Sequence, residues 1–264
     1  MTEYSLVKCR KAISPSRLPG LDYALNPYVG CEHSCAYCYS PAVLRREDYI
    51  RNWGNFVFIK ENLPSLLEKE IAKIKPGFIG IGTVCDPYQP VEKNAGITRK
   101  SLEILKDEKF NLCIQTKSDL VLRDVDLLNR KRDEIGVTIT TLDNDLARKI
   151  EPRASPPDAR AQILEELSHR QVRRWLFLGP VIPGVNDSEE SLSAVIEVAK
   201  KTGSLVIYDK LNLKRGVKER LSKVLGSSDF LSLLTTNWWE KTARKIERMC
   251  KDQGIRCEPA FTHV

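Results

Sequence analysis

Residues 26–41 read NPYVGCEHSCAYCYSP, and three cysteines fall close together within this stretch. Cys31, Cys35 and Cys38 have the spacing C-x3-C-x2-C, and they directly follow an apolar and aromatic run that ends in Gly30. Soft thiolates on one short loop suit an iron–sulfur cluster or zinc. A [4Fe–4S] cube contains four irons, so three local thiolates leave one iron open to a chelating small molecule.

The alternative metal for this loop is zinc, bound with the help of His33, which lies between the first two cysteines. A structural zinc ion requires four closed ligands, and three cysteines with one intervening histidine offer poor geometry for it. Cys85 is the next cysteine along the chain and lies far from the loop in sequence. The pattern therefore favours the cluster and leaves a non-catalytic, zinc-stabilised binding module as the competing hypothesis.

The composition is that of an ordinary globular protein, with 264 residues, 42% hydrophobic and 29% charged. This length fits one large domain, or an α/β barrel with a small appendage. The amino terminus lacks the pattern of a secretion signal, and no apolar run approaches the ~20 residues that span a bilayer. We therefore expect a cytoplasmic protein without a membrane partner, whose eight cysteines are metal ligands or core residues rather than disulfides. The net charge of +7 permits a nucleic acid or another anionic partner without requiring one.

Short apolar runs alternate with stretches of helical periodicity through the middle of the chain. After an extended segment that begins at Tyr23, the runs that predict strands lie at residues 78–84, 111–116, 135–141, 175–179 and 205–208. Helices are predicted between them, at about 98–106, 121–130 and 188–200. This alternation predicts a parallel sheet with right-handed crossovers, in which ligands gather at the carboxyl ends of the strands. Periodicity alone does not separate an open doubly wound sheet from a partial barrel.

The two ends of the chain differ in character from this core. Residues 1–20 are polar and are expected to lie over the outside of the fold, and residues 21–208 form the predicted core. Residues 209–264 are predicted to form a basic helical extension packed on the core, with a helix from about residue 237 to 252. Its segment KLNLKRGVKERL, at 210–221, is a candidate for phosphate contact.

Four cysteines remain outside the loop and Cys85. Cys113 lies within a predicted strand and is expected in the core. Cys250 and Cys257, together with Cys9, are candidates for an auxiliary cluster or a second metal site.

Five segments together resemble the spore photoproduct lyase-like branch of the radical S-adenosylmethionine (SAM) superfamily. They are NPYVGCEHSCAYCYSP, GTVCDPYQPVEKNAGITRKSLEIL, QTKSDLVLRDVDLL, TITTLD and GPVIPGVND, in the expected order over roughly residues 22–186. The resemblance implies a partial (β/α)6 barrel, a [4Fe–4S] cluster held by Cys31, Cys35 and Cys38, and SAM bound at the open iron. It also implies an electron donor of the ferredoxin or flavodoxin type.

The resemblance also assigns residues to the SAM site. Tyr37 matches an aromatic residue that lies against the adenine. Thr83 and Asp86 end the second predicted strand, where enzymes of this kind bind the methionyl amino group. Both are therefore expected to contact the cofactor.

Two later strand ends complete the site that the resemblance implies. Lys117 matches a lysine that holds the SAM carboxylate. Thr140 matches a hydroxyl contact to the cofactor, although Thr138 and Thr141 compete for that role. Glu151 and the segment 180–186 resemble loops over the adenine and the mouth of the barrel.

Two residues are candidates for hydrogen transfer. Tyr39 matches a tyrosine that assists this step in the lyase, although a tyrosine here also fits simple packing under the cluster. Cys85 falls where the lyase has a serine, and Thr83 falls where the lyase has the cysteine that donates hydrogen to its product. This departure puts repair of a thymine adduct in doubt, and a buried core role is the alternative for Cys85.

The function that the resemblance implies is reductive cleavage of SAM to a 5′-deoxyadenosyl radical, which abstracts hydrogen from a substrate. The enzyme would be of lyase or transferase type. A nucleic acid, as a DNA lesion or a tRNA, is the first expectation for the substrate, from family analogy and mild basicity. Modification of a protein side chain or a small metabolite is the alternative. The substrate, the fate of SAM and the oligomeric state do not follow from the sequence.

Overall fold

A computed structural model describes residues 2–261 of the chain. The strands are β1 (Glu3–Val7), β2 (Ile13–Pro15), β3 (Tyr23–Leu25), β4 (Tyr28–Val29), β5 (Phe56–Lys60), β6 (Phe78–Ile81), β7 (Asn111–Thr116), β8 (Glu134–Thr138), β9 (Arg173–Val181), β10 (Leu205–Lys210) and β11 (Cys257–Pro259). The α-helices are α1 (Ser40–Val43), α2 (Glu47–Asn52), α3 (Leu63–Ile71), α4 (Glu92–Ala95), α5 (Ile97–Leu105), α6 (Asn144–Ile150), α7 (Pro157–His169), α8 (Glu189–Thr202), α9 (Val217–Leu225), α10 (Phe230–Leu233) and α11 (Thr236–Asp252). A 3-10 helix covers Asp119–Leu127.

The larger of two sheets has eight strands in the order β11–β10–β9–β8–β7–β6–β3–β2. The neighbouring strands from β3 to β11 are parallel, whereas β2 pairs antiparallel with β3. The predicted α/β fold with a parallel sheet is therefore confirmed. Six of these strands, β3 and β6–β10, correspond to the strands of the predicted partial barrel, and within residues 2–261 the sheet ends at β2 and β11.

Helix α8 illustrates how local sequence produces the layer that covers this sheet. The Ser188 side chain caps its amino terminus by accepting from the Ser191 N–H at 3.1 Å. Its fully buried positions recur every three or four residues and are Leu192, Val195, Ile196 and Ala199. Gly203, with φ of +62°, then ends the helix in the left-handed conformation that glycine adopts without strain.

The helix predicted at about 121–130 lies at Asp119–Leu127 and is a 3-10 helix. Asp124 is fully buried there, and its carboxylate binds Arg99 and Arg123, each at 2.7 Å. Two arginines converging on one buried carboxylate stabilise the tighter turn. The sequence did not predict the 3-10 geometry because apolar spacing does not distinguish a 3.0-residue turn from a 3.6-residue turn over so short a stretch.

The amino-terminal residues contribute strands that were not predicted. β1 is the edge of a three-stranded sheet in the order β1–β5–β4, and it pairs in parallel with β5. Residues 3–6 of β1 are exposed, including Tyr4 and Leu6 at 52% and 66%. Because alternate residues of a strand share a face, Tyr4 and Leu6 present adjacent apolar side chains to solvent.

The carboxyl-terminal residues pack on the larger sheet. β11 pairs in parallel with β10, and α11 buries Trp239, Ile246 and Cys250 while Lys241 and Arg244 stay exposed. The division of the chain at residue 208 stays a prediction. No helix within residues 2–261 combines the length and the apolar character needed to cross a membrane.

Candidate active site

One face of the larger sheet, together with the loops at its carboxyl ends, encloses a cavity of about 530 Å³. The predicted site residues that line it are Cys31, Cys35, Tyr37, Cys38, Tyr39, Thr83, Cys85, Asp86 and Lys117. Thr140 is buried behind this wall, where its hydroxyl lies 3.2 Å from the Tyr37 hydroxyl. The fold therefore brings the cysteine loop and the strand ends to one cavity.

The cysteine loop is held in shape by contacts outside it. The Gln89 side chain accepts from the Glu32 N–H at 2.8 Å and donates to the Gly30 carbonyl at 3.1 Å. Gly30 has φ of +92°, and a Cβ there would lie 2.4 Å from the carbonyl oxygen of Phe56. Glycine is therefore required at the entrance to the loop.

The three cysteines fit a metal cluster because all of them line the same cavity. Burial raises the pKa of the Cys31 thiol well above its usual value, and negative charge on Asp86 and Cys35 raises it further. Burial likewise raises the pKa of Cys35 to about 12, although the nearby Lys117 ammonium opposes this rise. The thiols of Cys31 and Cys35 are therefore protonated in the chain alone, and their binding to a cluster as thiolates would release protons. Three thiol donors on the wall of one cavity fit a [4Fe–4S] cluster.

The arrangement does not support a site for a single metal ion. Within residues 2–261, no three His, Cys, Asp or Glu side chains are placed to bind one ion. His33 instead directs Nδ1 to a carboxylate oxygen of Asp86 at 3.3 Å. Cys9 likewise forms no such group with Cys250 and Cys257. In a [4Fe–4S] cluster each thiolate binds a different iron, so the three cysteines do not have to meet at one metal ion.

Asp86 connects the cysteine loop to the end of β7. Its carboxylate accepts from the Thr116 hydroxyl at 2.7 Å and the Lys117 N–H at 2.8 Å, beside the His33 contact. Burial opposes its ionisation, but His33, Lys117 and the Thr116 hydrogen bond outweigh burial and lower its pKa to about 2. A fixed carboxylate at this position suits an ammonium group.

The lowered pKa of Asp86 predicts a specific acid dependence of stability. A carboxylate whose pKa falls on folding stabilises the fold above its unfolded pKa of 3.8, and this contribution is lost as the pH falls through about 2. The stability difference between wild type and Asp86→Asn should therefore shrink as the pH falls from 3.8 to 2. Urea unfolding followed by tryptophan fluorescence at several pH values measures it. A difference that stays constant over this range would contradict the assignment.

A buried polar network behind the cavity supports Tyr37. The Tyr37 hydroxyl donates to Glu151, and the Thr140 hydroxyl donates to the same carboxylate at 2.8 Å. The Arg160 guanidinium forms an ion pair with Glu151 at 2.6 Å, and both side chains are almost completely buried. Lys117 Nζ lies 5.8 Å from the centre of the Tyr37 ring. The network therefore fixes the Tyr37 ring beside the Lys117 ammonium.

Sequence reasoning missed Arg160. The sequence offered one indication of this residue, because Arg160 is a charged residue on the face of α7 that also carries the buried Ile163 and Leu164. A buried arginine requires an acidic partner, but the sequence does not identify that partner.

Thr83 and Cys85 meet at Asn26, a residue that sequence reasoning also missed. The Asn26 side-chain amide donates to the Thr83 hydroxyl at 3.0 Å, and the Cys85 thiol contacts Asn26 Oδ1 at 4.0 Å. Burial raises the pKa of Cys85 to about 12, so the residue presents a neutral thiol to the cavity. Tyr39 is 39% exposed at the same cavity, so it does not pack in the core.

The inner face of the sheet forms the rest of the cavity. Trp175 and Phe177 stand edge to face with ring centres 6.4 Å apart. Gly136 makes room for the indole, since a Cβ there would lie 2.2 Å from a ring carbon of Trp175. Cys113 lines the cavity instead of lying in the core, because odd-numbered residues of β7 face inward. Sequence reasoning did not identify these wall residues.

Basic residues lie at the rim of the cavity. Lys210, Asn212 and Lys214, from the segment predicted to contact phosphate, line it together with Asp209. The segment is therefore positioned to meet a ligand that enters the cavity.

Known proteins resemble this chain in sequence and in fold. It is 35% identical over 209 residues to the uncharacterized protein MJ0683 of Methanocaldococcus jannaschii, which covers 79% of this chain and 77% of that protein. A structure of spore photoproduct lyase complexed with dinucleoside spore photoproduct superposes with a TM-score of 0.74 at 12% identity, over 98% of this chain and 82% of that one. Streptococcus suis SuiB bound to S-adenosylmethionine superposes with a TM-score of 0.61 at 12% identity, over 91% and 50% of the two chains.

The family model described as the Radical SAM superfamily matches residues 25–195. This range includes the cysteine loop, the strand ends and most of the cavity wall. Membership implies a [4Fe–4S] cluster and SAM. The chain therefore belongs to the radical SAM superfamily and has the spore photoproduct lyase-like fold.

Proposed function

We propose that this chain cleaves SAM reductively and uses it to abstract hydrogen from a substrate held against the inner face of the sheet. The observation that carries the proposal is that one cavity is lined by the three cysteines of the loop and by the strand-end residues Asp86 and Lys117. A [4Fe–4S] cluster, when bound, supplies the electron that converts SAM to methionine and a 5′-deoxyadenosyl radical.

The chain's own residues bind and orient the reactants. Asp86 offers a carboxylate to the methionyl ammonium, and Lys117 offers an ammonium to the methionyl carboxylate. Burial disfavours the charged form of Lys117, but Cys35, Glu151 and Asp86 raise its pKa to about 12. Both groups are therefore charged near neutral pH.

The substrate class that we propose first is a nucleic acid. Spore photoproduct lyase, which shares the fold, has been solved with a dinucleoside photoproduct. In this chain, Trp175 and Phe177 offer ring surfaces inside the cavity, and Lys210 and Lys214 offer cations at its rim. Thr83, where the lyase has its hydrogen-donating cysteine, weighs against repair of the thymine adduct itself. A protein side chain or a small metabolite is the alternative substrate.

The test of the proposed function separates the chemistry from the substrate. Anaerobically reconstituted protein should be brown, contain about four irons per chain and release 5′-deoxyadenosine with dithionite and SAM. A colourless zinc protein that releases none would refute the chemistry. Binding of single-stranded DNA and of tRNA should weaken with salt, and the salt slope should fall by about two in Lys210→Glu/Lys214→Glu. An unchanged slope would favour the alternative substrates.

A further inference from the structure

A second crevice lies beside the cysteine loop, separate from the cavity that holds the predicted SAM site. Basic residues that line it are Lys93, Arg123 and Arg153. His33, which lies between two of the predicted cluster ligands, lines both this crevice and the cavity. The crevice therefore reaches the cysteine loop from outside.

Strand β1 extends this crevice into a larger surface. Arg153 donates to the Thr2 hydroxyl and to the Gly54 carbonyl, each at 2.7 Å, which places its guanidinium next to the start of β1. The exposed apolar side chains of Tyr4 and Leu6 follow on that strand. We call Tyr4, Leu6, Lys93, Arg123 and Arg153 the β1 face.

The β1 face connects to the cysteine loop through Glu32. The Tyr4 hydroxyl donates to one oxygen of the Glu32 carboxylate at 2.7 Å, and the other oxygen accepts from the Val91 N–H at 2.6 Å. Glu32 is 4% exposed and directly follows Cys31 in the chain. The half-exposed Tyr4 is therefore linked to Cys31, a predicted cluster ligand, through its hydrogen bond to Glu32 and the peptide bond between Cys31 and Glu32.

The positive charge of the β1 face comes mainly from Lys93 and Arg153. Arg123 is paired with Glu92 and Asp124, and Asp119 adds a carboxylate to the crevice. Arg153 donates to a hydroxyl and a carbonyl rather than to a carboxylate, and Lys93 is exposed. A small apolar patch beside such cations is typical of transient interfaces that use electrostatic steering.

We propose that the β1 face docks an acidic, low-potential one-electron carrier of the flavodoxin or ferredoxin class. The inference rests on the proposed function, since it supplies the electron that this function needs. The carrier loses one electron, the cluster bound by the three cysteines gains it, and no atom is transferred. SAM and substrate use the other side of the loop, so the carrier docks while both are bound.

Charge reversal on the β1 face tests this assignment. With reduced flavodoxin as the donor, Lys93→Glu/Arg153→Glu should lower the rate of 5′-deoxyadenosine formation about tenfold at low salt. With dithionite, which needs no docking, the same variant should match wild type, which also shows that it is folded and holds its cluster. Lys93→Glu alone should give a smaller loss in the same direction. The matched control, Lys241→Glu/Arg244→Glu on α11, makes the same change in net charge and should leave both rates unchanged.

The possible outcomes separate the inference from the proposed function. A flavodoxin-driven rate within about twofold of wild type in the double variant would overturn the docking assignment. Loss of nucleic-acid binding in that variant with full flavodoxin-driven activity would overturn it too, and would assign the β1 face to nucleic acid. Absence of 5′-deoxyadenosine from wild type with dithionite would refute the proposed function, and the inference with it.

Discussion

Replacing Cys35 with alanine is expected to abolish both the brown colour of the reconstituted protein and the formation of 5′-deoxyadenosine. Changes in the surroundings of metal ligands already cost about 10–100-fold in affinity or activity. Loss of one of the three thiolates is expected to cause a larger decrease in cluster affinity and activity, because no other cysteine of the described loop replaces it. Iron content, absorbance near 400 nm and product formation with dithionite measure the effect.

Cys9→Ala is the matched control for this substitution. The Cys9 N–H donates to the Asn62 side chain at 2.8 Å, and Cys9 does not line the cavity. Iron content and product formation should therefore equal those of wild type. A Cys35→Ala protein that still formed 5′-deoxyadenosine at the wild-type rate would show that the ligand assignment is wrong.

Replacing Glu151 with alanine is expected to lower the free energy of unfolding by about 3–5 kcal/mol. The substitution leaves the Arg160 guanidinium buried at 1% exposure without its carboxylate. It also removes the acceptor of the Tyr37 and Thr140 hydroxyls. Urea unfolding of the variant and of wild type, under the same conditions, measures the loss.

An exposed ion pair provides the control for Glu151→Ala. Glu166 and Arg170 are paired at 3.5 Å on the surface of α7, with both side chains nearly half exposed. Glu166→Ala should cost at most about 1 kcal/mol, because water screens the pair and solvates the remaining charge. Equal costs for the two substitutions would show that the buried network does not stabilise the fold as described.

The sequence predicted those parts of the fold and the site that depend on the pattern of residues within short segments of the chain. The alternation of short apolar runs with helices dictated a parallel sheet, and strand ends of such a sheet meet at one edge. Lys117 directly follows β7, and Asp86 lies in the loop after the neighbouring strand β6, so their proximity followed from topology. The cysteine loop was recognisable because its three ligands lie within one short segment.

The remaining parts depend on contacts between residues that are far apart in the sequence. Tyr37 and Glu151 meet although 114 residues separate them, and Arg160 enters from a third element. Trp175 lies in a strand with both faces covered, so period-two alternation did not reveal that it faces the cavity. The β1 face likewise combines residues from four separate segments of the chain.

The central claim is that three thiolates hold a cluster whose fourth iron binds SAM. Electron–nuclear double resonance of the reduced, reconstituted protein with SAM carrying ¹⁵N in its methionyl amino group tests it most directly. We predict hyperfine coupling between the cluster and the ¹⁵N nucleus. A reduced cluster that shows no such coupling while SAM is bound would mean that a protein side chain occupies the fourth iron, and would contradict the account.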